Sequence, residues 1–112
     1  VKHINLVKNS RRTEEIRALK IWRELNGLDF PSFYLEMTVI EALRGRIFLS
    51  GLADNIWAVF GYLATKFENA RIVDPANTNN IVSDDLMVTE KEAVAQIARL
   101  SLQQRYWENI IS

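Results

Sequence analysis

Residues 28–45 read LDFPSFYLEMTVIEALRG, and the fold turns on how they are placed. Asp29 offers an N-cap, Pro31 suits a first helical turn, and Gly45 supplies a stop. Between them Phe33, Leu35, Met37, Val39, Ile40, Ala42 and Leu43 fall nearly all round a helical projection. A helix apolar on every side has to be covered on every side, so this segment is predicted to be the central one. Glu36 is the odd residue inside it. Burying a carboxylate is costly without a partner, so Glu36 needs backbone N–H groups or a nearby cation.

Reading outward, a preceding helix is predicted from about Ser10 to Asn26, ended by Asn26-Gly27. Ile16, Ala18, Leu19, Ile21, Trp22 and Leu25 cover more than half its circumference, with Arg17, Lys20 and Glu24 on the remaining arc, so it should pack on two sides. A third helix is predicted from Leu52 to Phe67 with Ile56, Val59, Phe60, Leu63 and Phe67 inward and Asp54, Ala58, Tyr62 and Thr65 on the wetter side. A fourth opens with the capping box Thr89-Glu-Lys-Glu92 and runs to about Tyr106, with Ala93, Val94, Ile97, Leu100 and Ser101 inward. Between the last two lies NARIVDPANTNNIVSDDLM, residues 69–87, a long connection with a short extended piece at Arg71–Val73. Asp74 can accept bonds from nearby N–H groups, Pro75 fixes the chain direction, and Asn77, Asn79 and Asn80 tolerate turn conformations. Ile72, Val73, Ile81 and Val82 should pin both ends. The fold class expected is all-α, a bundle of four main helices in a single domain, with an ordered Asp-Pro/Asn loop before the last helix.

Composition narrows the chemistry. The 112 residues carry 14 Lys plus Arg against 14 Asp plus Glu, for a formal net charge of zero, so whole-surface binding to nucleic acid or anionic membrane is disfavoured. With no cysteine there is no disulfide, thiolate metal site or Cys nucleophile, and a single histidine, His3, argues against a histidine zinc site or a Ser/His triad. No apolar run reaches the roughly 20 residues of a membrane span, and the polar start VKHINLVKNSRR has no signal-peptide core. A soluble, cytoplasmic protein is expected, and the start at Val1 suggests a piece of something longer. Phosphate-loop, nucleophile-elbow and zincin motifs are missing. Asp84-Asp85 is an adjacent carboxylate pair, but it precedes a helix start, where acids complement the dipole.

Three segments in order, EEIRALKIWREL, PSFYLEMTVIEAL and ARIVDPANTNNIV followed by a helix, carry a resemblance over about residues 14–102. Together they resemble the C-terminal helical lobe of polymerase-beta-like nucleotidyltransferases. That superfamily includes oligoadenylate synthetases, cyclic GMP-AMP synthase, bacterial cyclic-oligonucleotide synthases of antiphage defence and archaeal CCA-adding enzymes. The resemblance implies that Lys20 projects toward a donor triphosphate, that Ser32 lies next to the nucleotide, and that Phe33 stacks on the base. It gives Asn80 a contact at the cleft, and leaves Glu36, Asp74 and Pro75 structural. Thr78 stands near where many relatives have a second proline.

Physical chemistry is compatible with these roles and with plainer ones. An ammonium at a helix edge suits phosphate oxygens, yet Lys20 has Glu24 one turn on. A first-turn Ser32 sits where free N–H groups favour an anion, or is simply a helix start. Phe33 can present a flat face to a purine, and it is also in step with Met37 and Ile40 as a core residue. The family's catalytic half, a Gly-Ser turn and paired aspartates on strands that hold two Mg2+ ions, has no counterpart here; Ser50-Gly51 is the reverse order. The chain alone is therefore expected to be inactive and to bind no cofactor itself, with Mg2+ and a nucleoside triphosphate (ATP or GTP) belonging to a parent enzyme whose N-terminal catalytic lobe is its partner. The competing expectation is a helical interaction module, whose exposed apolar face takes a partner protein or a second copy.

Overall fold

The computed structural model describes residues 12–45 and 51–111, with the backbone alone from 105 onward. Four α-helices dominate: α1 (Thr13–Leu25), α2 (Ser32–Ala42), α3 (Leu52–Thr65) and α4 (Val88–Ile111). A small antiparallel pair, β1 (Val73–Asp74) and β2 (Asn77–Ile81), lies between 3-10 turns at Phe67–Asn69 and Val82–Asp85. The fold is thus mostly helical, roughly as the all-α expectation has it, with a small two-stranded sheet in addition.

Helix α2 buries Tyr34, Leu35, Met37, Thr38 and Val39, while Phe33, Ile40 and Ala42, expected to be covered as well, are half-buried. Its start differs from expectation. Pro31 holds the N-cap position at φ −54° and ψ 142°, so the helix begins at Ser32 and Asp29 is left exposed with no capping role. A proline disfavours helical geometry in the residue before it, which stops α2 extending back to Asp29. At the other end Gly45 takes φ +83°, and Gly27 after α1 takes φ +60°, the left-handed region glycine enters without a Cβ penalty.

Around α2 the core forms a triangle of rings. Phe30, Tyr34 and Phe67 stand with centroids 5.2 to 5.3 Å apart, within the range favoured for offset and edge-on aromatic pairs. Phe67 lies past the end of α3, which stops at Thr65, yet the following 3-10 turn still delivers its ring fully buried. On the far side of α3, Val59, Phe60 and Leu63 face inward as the spacing predicts, and Trp22 of α1 meets Phe60 at 5.0 Å. The Trp22 indole N–H donates to Ser101 Oγ at 2.9 Å, tying α1 to α4.

Two helices are rotated from their predicted settings. In α1 only Glu15, Ile16 and Leu19 are buried, while Ile21 and Leu25 are 56% and 81% exposed, so the helix packs on one side rather than two. In α4 the inward residues are Val94, Ala95 and Ala98, with Ala93 exposed and Leu100 47% exposed. Small alanines let α4 approach α3 closely, and that favours them over the larger leucine at the contact. The start of α4 is also earlier than the Thr89 box: Met87 N–H donates to Glu90 Oε1 at 2.8 Å, the backward half of a capping box set two residues upstream. The Ser10 start and His3 lie outside the described residues.

The expected loop is a hairpin with a bulge between Val73 and Asp74 and register Val73↔Ile81 and Asp74↔Asn77. Asp74 Oδ1 accepts the Ala76 N–H at 2.8 Å, the Asx turn anticipated from Asp-Pro. Its ends are pinned as the apolar pairs suggest: Ile72 and Val82 are buried, and Ile72 exchanges two bonds with Ser83, at 3.0 Å to Oγ and 3.2 Å from its N–H. No apolar alternation marks β2 because Asn77 to Asn80 are exposed on both faces.

A buried polar knot joins three helix ends. Arg12, at the α1 N-cap, donates to Glu15 Oε2 at 3.4 Å and to the Leu43 carbonyl at 3.3 Å, satisfying an orphan acceptor at the end of α2. Asn55 in the first turns of α3 donates to the same Glu15 oxygen at 2.9 Å. Removing Asn55 takes a donor from the buried Glu15 carboxylate, so Asn55→Ala should lower unfolding free energy by about 1–3 kcal/mol in urea titrations.

Tyr34 presents the opposite case: it is fully buried, and its hydroxyl has no hydrogen-bond partner among the described residues. Burial, then the charges of Tyr62, Asp85 and Asp84, push its pKa well above the ordinary 10.0, and burial followed by Glu41 raises Tyr62 as well. A raised folded-state pKa leaves stability intact below pH 10 and erodes it as pH climbs further, because the unfolded chain gives up the proton first. Tyr34→Phe should therefore gain about 1 kcal/mol at neutral pH and show a weaker loss of stability between pH 10 and 12, read from urea midpoints across that range.

Candidate functional site

Of the expected site residues, Lys20 and Ser32 lie at the seam between α1 and the front of α2, together with Glu36. Lys20 and Arg23 are one turn apart on α1, and Ser32 and Glu36 are one turn apart on α2, so two short ladders of side chains face each other. The lower rung is an ion pair, Lys20 Nζ to Glu36 Oε2 at 2.7 Å, with the side chains 37% and 17% exposed. Glu36 thus has the cation its position demanded, and Lys20 reaches across the seam rather than along its own helix to Glu24. The upper rung is Arg23, whose Nη1 donates to Ser32 Oγ at 3.0 Å and to the Phe30 carbonyl at 2.9 Å. Arg23 also holds Glu24 through Nε at 3.0 Å.

Arg23 is the residue that sequence reasoning passed over. Its signal was present in the three-residue spacing from Lys20, which puts two cations on one side of α1. The start of α2 adds to the local field, since it has no side-chain cap and no acidic residue in its first turn. Its first N–H groups therefore carry an unopposed partial positive charge.

Phe33 is half-buried and packed against the core, in step with Met37 and Ile40. Asn80 is exposed on β2 and its amide points back to Asp74 Oδ2 at 3.4 Å, so it closes the hairpin that Asp74 and Pro75 turn. The structure brings Lys20, Ser32 and Glu36 together with Arg23; it places Asn80 in a separate element.

Two depressions bordered by described residues lie elsewhere, at the far end of α2. One, about 400 Å3, runs between Met37, Ile40 and Glu41 and the strand at Arg71–Val73. The other, about 620 Å3, lies between Glu41, Arg44, Tyr62 and Lys66. Among the described residues no three His, Asp or Glu side chains gather as a metal set, and no helix is long and apolar enough to cross a membrane. Asp84 and Asp85 are exposed in the 3-10 turn ahead of α4, where their charge acts on Tyr34. In comparisons with known proteins, no family model, no curated protein and no solved structure matches the chain.

Proposed function

We infer that the α1–α2 seam is the phosphate-facing wall of a nucleotide cleft, and that the chain serves as the helical lobe of a nucleotidyl-transferring enzyme. The observation that carries this reading is the pairing of Lys20 and Arg23 against an uncapped helix start that bears Ser32. A lysine has three donors, and Glu36 uses one of them, so two remain for phosphate oxygens. The pair is partly buried, with Lys20 its more open member, so a triphosphate of several negative charges would compete with Glu36 for the ammonium from the Lys20 side. Arg23 already spends its guanidinium on Ser32, the Phe30 carbonyl and Glu24, so its part is to hold Ser32 in place and add positive charge beside the phosphate, while Ser32 Oγ can donate its proton to a phosphate or sugar oxygen as it accepts from Arg23.

Such a seam would be one wall of the cleft. The opposite wall, with the metal-binding aspartates, would be supplied by a catalytic lobe, and Mg2+ there would activate the attacking hydroxyl and steady the leaving pyrophosphate. Phe33 contributes through its exposed edge, beside the nucleotide base, while keeping its inner edge in the core. Four helices would form the rigid body that presents this wall, with the hairpin as an architectural brace.

The second reading, an interaction module, is favoured by Ile21 and Leu25 on the outer side of α1. They follow Lys20 on the same helix, so a docking face there would meet the seam's edge. Sedimentation of the chain over a range of concentrations separates the two: self-association abolished by Leu25→Ser supports the module.

The nucleotide reading predicts weak, salt-sensitive ATP binding that moves amide resonances of residues 20–23 and 32–36. Lys20→Ala should weaken it at least threefold, and Glu36→Gln should tighten it two- to fivefold by removing the competing carboxylate. ATP shifts confined to other residues, or an affinity indifferent to both substitutions, would sink the assignment.

A further inference from the structure

The 400 Å3 cleft at the opposite end of α2 has the makings of a second binding site. Its volume lies within the range of about 300–1,000 Å3 typical for small-ligand pockets. Its floor is apolar, built from Met37 and Ile72, both buried, and Ile40, half-buried. Its rim carries Glu41, Arg44 and Arg71.

The rim charges are unequal in how the fold uses them. Glu41 Oε2 accepts from both Nε and Nη2 of Arg44, at 3.0 and 2.6 Å, so these two neutralise each other. Arg44 also follows the end of α2, where a cation complements the helix dipole. Arg71 has neither explanation. It stands in an extended segment outside any helix, and it makes no ion pair with a described residue. One guanidinium is left over at the mouth of an apolar hollow. A planar fork above an apolar floor is matched by a ligand with the reverse arrangement: a compact apolar body and one acidic group.

We propose that this cleft binds a small amphipathic anion, with its carboxylate, phosphate or sulfonate on Arg71 and its apolar body over Met37, Ile40 and Ile72. The site shares no lining residue with the α1–α2 seam: it lies between the rear half of α2, at Met37, Ile40, Glu41 and Arg44, and the strand from Arg71 to Pro75. Occupancy would join α2 to the strand entering the hairpin, linking two elements that meet at this cleft.

The test uses the whole chain and 8-anilinonaphthalene-1-sulfonate, a rigid apolar body with a single anionic group, followed by fluorescence and amide resonances. Its uncharged counterpart N-phenyl-1-naphthylamine is the control. One saturable site is expected, with shifts at Ile40, Ile72 and Val73. Arg71→Gln should raise the Kd for the sulfonate at least tenfold and leave the uncharged probe within twofold, while Arg71→Lys stays within threefold of the original. Arg71 is exposed, so equal thermal midpoints will show that the variants fold alike. Lys20→Ala should leave the sulfonate affinity unchanged, which keeps this site distinguishable from the nucleotide wall. No saturable binding, an affinity insensitive to Arg71→Gln, or shifts centred on Ile21 and Leu25 would each overturn the proposal.

Discussion

Everything in this fold is arranged around the need to cover α2 on all sides. Its residues Tyr34, Leu35, Met37, Thr38 and Val39 are shielded by α1, α3 and the turn at Val82–Asp85. Fully burying one large apolar side chain contributes about 1.5–3 kcal/mol, so a helix with several of them dictates the placement of its neighbours. Directional bonds then fix the orientation that apolar contact alone would leave loose. The Arg12–Glu15–Asn55 knot takes up the carbonyl of Leu43 at one end of α2, and Arg99 of α4 donates to the Ala64 carbonyl at the end of α3 at 2.9 Å. Two arginines thus serve helix ends that would otherwise leave acceptors unmatched.

That arrangement also determines where chemistry can occur. With most of α2 committed to packing, what stays accessible is its two ends and the half-buried stripe of Phe33, Glu36 and Ile40. The front end meets α1 at Lys20 and Arg23; the rear end meets the strand entering the hairpin at Arg71. Both ends present guanidinium or ammonium groups, but in different settings. The front is an open polar face whose cations are shared with Glu36 and Ser32, suited to a multiply charged group. At the rear, an apolar hollow carries one unmatched charge, suited to a ligand that is mostly carbon.

How much of this was legible in the residues depends on the kind of signal. The two middle helices were readable because burial leaves a period: α2 apolar nearly all round, α3 striped by Ile56, Val59, Phe60 and Leu63. Helix ends were read less well. Asp29 looked like a cap, and Pro31 overrode it; Thr89 looked like a cap, and Met87 with Glu90 made the bond instead. Such contests are settled by fractions of a kcal/mol between competing local bonds, which one-residue preferences do not resolve. The hairpin was missed because β2 has no buried face, and thus no alternation to read. Among charged groups, Glu36 was correctly marked as needing a cation, since an acid inside an apolar pattern is conspicuous. Glu15 was not, because it stands next to Glu14 on what reads as a solvated edge; only the arrival of Asn55 from 40 residues away reveals its burial. Arg23 was overlooked for the same reason: its partners, Ser32 and the Phe30 carbonyl, belong to the next element.

The polar strand Asn77–Ile81 has a consequence of its own. Strand register is usually enforced by an apolar side that cannot be turned to water, and β2 has none. Its alignment rests on its two anchors, the Asp74 turn and the Ile72–Ser83 clasp. Between those anchors the side chains of Thr78 and Asn79 answer to no packing constraint, so that short span is free to diverge in composition, and even in length, while the body of the molecule stays as it is.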